Sequence, residues 1–288
     1  MNQSDISAYW EAEVCGTRFA TATSTLEQSQ EISAARYLAE PFIRDFARFD
    51  SRPGDNVLEV GVGAGTDFME WLNTGAHCYG IDATTAAIEL TRSRITVEEV
   101  SPPVQLFVAD AADLPFAMDF FDYVYSYGVI HHAERTTDCL AEIHRVLRAG
   151  GTARVMVYSS FSATGLMLYL MYGLARLRPF TSQRAVVSQH LESPGTKCYS
   201  KGEFRRMAEA AGFTVGSIIK KAGSGDLLLM PPSQKYARQG GLYRLVQRVY
   251  PRALVRRSES LLGLFLLVEM TKPLTLPGRV NSHLHTQG

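Results

Sequence analysis

The sequence predicts an α/β domain built on a doubly wound, mostly parallel sheet of seven strands, with an N-terminal helical cap and a helical insertion after the fifth strand. Three observations predict it. Short apolar runs alternate with amphipathic stretches between residues 56 and 158, a glycine-rich turn follows the first run, and an acid ends each of the next two. Strands alternating with helices imply βαβ units and a sheet wound in both directions.

In chain order, Ile32, Ala35, Leu38, Phe42, Ile43 and Phe46 recur at helical spacing, with Arg36, Glu40, Arg44 and Asp45 filling the other face. This predicts one or two amphipathic helices over 24–49, within a cap spanning 1–50. The break at 51–54 (SRPG) opens a catalytic-domain candidate over 51–272. The run NVLEV over 56–60 ends at glycines and reads as a buried parallel strand. The periodicity then predicts a helix over 66–73, a strand over 76–81 and a helix over 84–99 stopped by Pro102 and Pro103. A strand over 104–108, a strand over 121–126, a helix over 135–147 and a strand over 152–158 follow. The insertion, 159–200, holds one very apolar helix over 165–177. Beyond it come a helix over 201–211 closed by Gly212, a strand over 213–219, an Arg-rich stretch over 240–258 bent at Pro251, and a last strand over 262–270. The tail, 273–288, is rich in Pro, Gly and polar residues and reads as loose.

Composition narrows the function. Of 288 residues 46% are hydrophobic and 20% charged, enough to bury a large core. Lys+Arg and Asp+Glu stand at 29 each, so no basic field is available for a phosphate backbone and nucleic acid is not an expected partner. Cys15, Cys78, Cys139 and Cys198 are scattered without metal or disulfide spacing and read as isolated thiols of a reducing compartment. The polar start is unlike a signal peptide, and the longest apolar stretch falls short of the roughly 20 residues of a membrane span. A cytoplasmic location is expected.

The chemistry centres on LEVGVGAG, 58–65. Glycines are needed where a strand turns tightly into a helix and a ligand lies against the backbone. Asp82 ends the next strand, where an acid can hydrogen-bond both ribose hydroxyls of a nucleoside. Asp110 ends the third, where its carboxylate can accept from an adenine amino group while the Ala111 amide faces a ring nitrogen. A helix N-cap would explain either acid alone; three such features at successive strand ends point to a nucleoside.

The ordered runs VLEVGVGAGTD, GID, DAADLPF, FDYVYSYGVIHH and EIHRVLRAGG resemble the class I, Rossmann-like S-adenosylmethionine-dependent methyltransferases, in particular the small-molecule branch of ubiquinone and menaquinone biosynthesis. The resemblance covers 57–158. It implies S-adenosylmethionine as cofactor and S-adenosylhomocysteine as product. It also implies Glu59 and Gly61 against the amino-acid half, Gly63 and Gly65 close by, Asp82 with Ala83 at the ribose, Asp110 and Ala111 around adenine, and Tyr127 near the methionine moiety. Tyr9, Trp10 and the run Cys15 to Phe19 resemble a cap over the cofactor.

The acceptor is expected to be a small molecule methylated on O, N or C. His131, His132 and Tyr158 are candidate bases, with His190 and Tyr199 beyond them; a structural role for each histidine is the competing reading. No third donor stands at metal-binding spacing, so no metal is expected. The helix over 165–177 is apolar on nearly every face, which suits packing, a homodimer contact, a membrane surface or a lid over an apolar acceptor. Arg244, Arg248, Arg252 and Arg256 read as a solvated face. Two other functions stay open: a non-catalytic nucleoside-binding protein and a nicotinamide-dependent oxidoreductase, the latter disfavoured by the GxGxG spacing.

Overall fold

The computed structural model describes residues 3–12, 14, 17, 25–49, 52–100, 104–193, 195–229, 247–248 and 250–274. Cys15, Arg18, Phe19, Arg244 and the tail beyond 274 lie outside the described residues.

Two cap helices, α1 (Gln3–Ala12) and α2 (Thr25–Ala39), and a short α3 (Ile43–Ala47) precede the sheet. Then β1 (Asn56–Val60), α4 (Thr66–Leu72), β2 (His77–Asp82), α5 (Thr85–Val97), β3 (Val104–Val108), β4 (Phe121–Tyr127), α6 (Thr136–Val146) and β5 (Leu147–Ser159) alternate as the sequence predicts. The insertion follows: α7 (Ala163–Tyr172), a 3-10 turn (Leu174–Arg176), α8 (Gln183–His190) and β6 (Cys198–Tyr199). The chain then runs through α9 (Lys201–Ala210), β7 (Thr214–Lys221), α10 (Arg252–Arg257), α11 (Glu259–Leu262) and β8 (Phe265–Thr271). Strand order is β3-β2-β1-β4-β5-β8-β7, and the two-residue β6 pairs with β5, one strand more than expected. The first five strands pair in parallel; β8 runs antiparallel to both β5 and β7.

Side chains of one strand alternate between the two faces, and the buried core divides accordingly. Val57, Tyr123, Tyr125, Met156 and Tyr158 face one layer with Phe68 and Trp71; Leu58, Val124, Val155 and Val157 face the other with Leu140, Ile143 and Phe204. Among the described residues no helix is long and apolar enough to cross a membrane.

The sequence expectation for the cap is corrected in one respect. Leu38, read as part of the apolar face of α2, is 85% exposed, whereas Arg36 and Glu40, read as outward, line a cavity. A polar stripe answers equally to water or to a buried carboxylate, and Asp67 captures Arg36. The insertion helix also ends sooner than predicted: it stops at Gly173 and continues only as the 3-10 turn to a left-handed Leu177 (φ 57°). Helix α8, not foreseen, starts where the Ser182 hydroxyl accepts from the Ala185 N–H.

Candidate active site

The glycine loop between β1 and α4 turns through left-handed backbone, with φ of 85° at Gly61, 52° at Gly63 and 72° at Gly65. A Cβ on Gly61 would fall 2.1 Å from the Val129 side chain. Asp82 holds the loop from the end of β2. Its Oδ2 accepts from the Gly63 N–H at 3.0 Å, and its Oδ1 accepts from the Thr84 N–H at 3.0 Å and the Thr84 hydroxyl at 2.8 Å. Thr84 caps α5, so one carboxylate ties the loop to the next helix.

A cavity of about 650 Å³ opens at this carboxyl edge of the sheet. Glu59, Gly61, Gly63, Asp82, Ala83, Asp110, Ala111 and Tyr127 line it, as do His132 and Tyr158. His190 lines it as well, but three of the residues expected there do not. Tyr199 instead donates its hydroxyl to Thr136 Oγ1 at 2.8 Å. Gly65 turns the chain into α4 against Thr91, and His131 is wholly buried behind the lining, its ring 4.3 Å from that of Tyr158.

Burial sets the electrostatics. Glu59 is nearly inaccessible, its Oε2 has no hydrogen-bond partner among the described residues, and burial, reinforced by Asp67, pushes its carboxyl well above the usual range. Burial raises Asp82 too, opposed by the hydrogen bonds from Thr84 and Gly63. The Tyr127 hydroxyl donates to Glu40 Oε2 at 2.5 Å; burial raises Glu40, with Arg36 working against it, and raises Tyr127 well above its usual value.

His132 sits in a made-to-measure socket. Its Nδ1 lies 2.9 Å from the Ser193 hydroxyl and 3.2 Å from that of Thr196, and its Nε2 lies 3.4 Å from Glu192 Oε2. Trp10 of the cap meets the ring edge-on at 5.2 Å. The two ring nitrogens of His131 have no partner among the described residues, and burial holds its pKa well below the usual value. The expectation that no third metal donor accompanies the two histidines is corrected: Glu192 brings a donor atom within 4.8 Å of both. A tetrahedral zinc with bonds of about 2.0–2.1 Å needs its donors about 3.3 Å apart. The cluster would have to contract to ligate one; as it stands, Glu192 lies 3.4 Å from His132 Nε2 with the buried His131 ring beside it.

Sequence reasoning missed several lining residues. Arg36 and Glu40 were legible only as a polar stripe, and Glu192 lies on a loop far along the chain. Met156, Met167, Met171, Leu264 and Phe265 carried no signal beyond apolarity.

Residues 58–155 match the methyltransferase-domain family. A ubiquinone/menaquinone biosynthesis C-methyltransferase of Dinoroseobacter shibae is 31% identical over 176 residues, which are 60% of this chain and 67% of that protein. The chain belongs to the class I S-adenosylmethionine-dependent methyltransferases. The corresponding enzyme of Ruegeria sp. is 34% identical over 125 residues, 42% of this chain and 50% of that one. The chain spans half or less of the first curated relatives it matches: 50%, 38% and 34% of their lengths. Geranyl diphosphate C-methyltransferase from Streptomyces coelicolor, solved with Mg2+, geranyl diphosphate and S-adenosyl-L-homocysteine, shares the fold at a TM-score of 0.60 and 15% identity, covering 94% of this chain and 97% of that one. Family membership removes the nicotinamide alternative, and the cofactor of the family is S-adenosylmethionine.

Proposed function

We propose that this methyltransferase moves the methyl group of S-adenosylmethionine to a hydroxyl oxygen of an uncharged, largely apolar small molecule, releasing S-adenosylhomocysteine. The observation that carries this reading is that one cavity has two kinds of wall. Glu59, the glycine loop, Asp82 and Asp110 form one; Trp10, Met167, Leu168, Met171, Leu191 and Phe265 form the other, and His132 lines the same space.

The cofactor fits the first wall. The crowded glycine backbone admits close approach, Asp82 and Asp110 offer carboxylates to ribose hydroxyls and an adenine amino group, and the unpartnered Glu59 oxygen suits an ammonium. In this reading Gly61, Gly63 and Tyr127 flank the amino-acid half, and Ala83 and Ala111 border the nucleoside. When bound, the cofactor supplies a methyl on a sulfonium, already an activated electrophile. The chain's own task is alignment and exclusion of water, for which orientation can contribute about 7–11 kcal/mol.

The proton of the acceptor hydroxyl goes to His132. The Thr196 hydroxyl donates to the Ser193 carbonyl at 2.6 Å, so toward the ring its oxygen accepts. In the tautomer this reading uses, the ring proton on Nδ1 is donated to the Ser193 and Thr196 hydroxyls and Nε2 is left as the basic nitrogen. Glu192, 3.4 Å away, then stabilises the imidazolium that forms. Tyr158, near both histidines, would orient rather than deprotonate.

Arg36 is the one arginine or lysine among the described lining residues, and it is paired with Asp67, while Glu40 and Glu192 are acids. A phosphorylated acceptor would meet carboxylates, which favours a neutral one. Buried free thiols at Cys78, Cys139 and Cys198 suit a reducing cytoplasm. The test is release of S-adenosylhomocysteine, read by mass spectrometry, with a panel of apolar alcohols and phenols and their phosphate esters. Turnover of the free hydroxyl compounds over their esters supports the reading. Tight cofactor binding with no turnover on any acceptor would favour the non-catalytic alternative.

A further inference from the structure

The lid helix α7 has two apolar faces. Met167, Leu168 and Met171 line the cavity, whereas Leu166, Leu170 and, in the turn that follows, Leu174 recur on the exposed side. The chain then projects Leu177 and Phe180, which are 91% and 101% exposed. Leu177 is held in left-handed backbone (φ 57°), a conformation a branched side chain avoids unless the turn demands it. Single exposed leucines are ordinary; a row ending in a fully exposed Leu–Phe tip is a contact surface.

Charge says which contact. Residues 159–191 contain Arg176, Arg178 and Arg184 and no Asp or Glu. Arg184 pairs with Glu203, and the Arg176 guanidinium stands over the Tyr172 ring at 4.9 Å. Among the described residues no carboxylate pairs with Arg176 or Arg178. A second copy of the chain, docked by a two-fold axis, would bring this same acid-free patch against itself and oppose arginine to arginine. An anionic lipid surface presents the complementary charge to the arginines and a hydrocarbon layer to Leu177 and Phe180.

We propose that the tip of the lid, Leu174 to Phe180, docks this methyltransferase on an anionic membrane surface, with Leu177 and Phe180 inserted and Arg176 and Arg178 at the headgroups. The docking stands on the exposed face alone. That the docked chain takes its acceptor from the bilayer, beneath the helix whose other face lines the cavity, rests on the proposed methyl transfer.

The test is flotation of the full chain with vesicles of phosphatidylcholine alone or mixed with phosphatidylglycerol. No acceptor is needed, so its outcome is separate from that of the turnover assay. Binding to the mixed vesicles, weakened by added salt, is expected. Each arginine near an anionic surface contributes about fivefold, so Arg176→Ala with Arg178→Ala should weaken binding about 25-fold. Leu177→Asp with Phe180→Asp should abolish it; aspartate tolerates left-handed backbone better than leucine, so the fold is retained and the melting temperature should match the parent. Absence of binding to the mixed vesicles, or binding untouched by both pairs of changes, overturns the proposal. So does a dimer, seen by light scattering, that the aspartate pair dissolves.

Discussion

The guanidinium of Arg36 meets the carboxylate of Asp67 at two points, Nε to Oδ1 at 2.9 Å and a terminal nitrogen to Oδ2 at 2.5 Å, joining the cap to the first turn of α4. The hydroxyls of Tyr37 and Tyr125 donate to the same carboxylate at 3.1 and 3.0 Å. Asp67 is thus fully engaged, with 2% of its side chain exposed against 25% for Arg36.

Removing one partner of such a pair strands the other. Arg36→Ala should destabilise the fold by about 2–3 kcal/mol, less than a fully buried pair because the arginine is partly solvated. Asp67→Asn keeps hydrogen-bonding capacity and leaves Arg36 beside Glu40, so its loss should be smaller. Urea unfolding of both variants checks the order.

Asp82 joins the glycine loop to α5 and is the proposed ribose ligand. Asp82→Ala should weaken cofactor binding by about 10- to 100-fold, the scale of hydrogen bonds to a charged group. Asp82→Asn, which can still accept from Gly63, should fall between. Calorimetric titration with S-adenosylmethionine measures both, and unaltered affinity in the alanine variant would remove Asp82 from the nucleoside site.

Glu59 couples stability to binding. A carboxyl raised in the folded state holds its proton there, so its contribution is full below the unfolded value of about 4.3 and is lost as pH rises through the folded one. Glu59→Gln should therefore raise the melting temperature of the free chain at neutral pH and lower its affinity for the cofactor. An ammonium bound against Glu59, as proposed, should draw its raised carboxyl back down, read as proton release on binding by titration in buffers of different ionisation enthalpy.

His132→Ala should reduce turnover by about 10²–10⁴-fold, the usual worth of a general base, and leave cofactor affinity intact. His131 acts on stability instead. Its pKa is depressed by burial, so the unfolded chain takes up a proton that the folded one refuses, and stability falls as pH drops below about 6.5. Replacing His131 by Leu should flatten that acid limb. Full turnover in the His132 variant would transfer the base role elsewhere.

Part of this was legible beforehand because the first strands are short runs rich in β-branched, aromatic and leucine residues between turn signals. NVLEV, almost wholly buried, and VQLFV, a largely exposed edge strand, both fall on the predicted bounds. The residues proposed to hold the nucleoside were legible because they sit at or just beyond the ends of β1, β2 and β3. The acceptor side was not. Glu192, Ser193 and Thr196 reach His132 by tertiary folding of a loop, and no spacing rule anticipates them. Helix α8, QRAVVSQH, has only Val186 and Val187 to bury and no apolar period to betray it.

Strand β8 follows β7 in the chain yet lies between β5 and β7, and β7 finds its sheet partner in β8. During synthesis, then, β5 presents an open edge and β7 waits unattached until residues 265–271 emerge. The nascent chain is at its most adhesive in the interval between the emergence of β7 and that of β8, with β1 to β5 already paired. A ribosome stalled just short of β8 would hold a polypeptide prone to pair with a neighbour's edge.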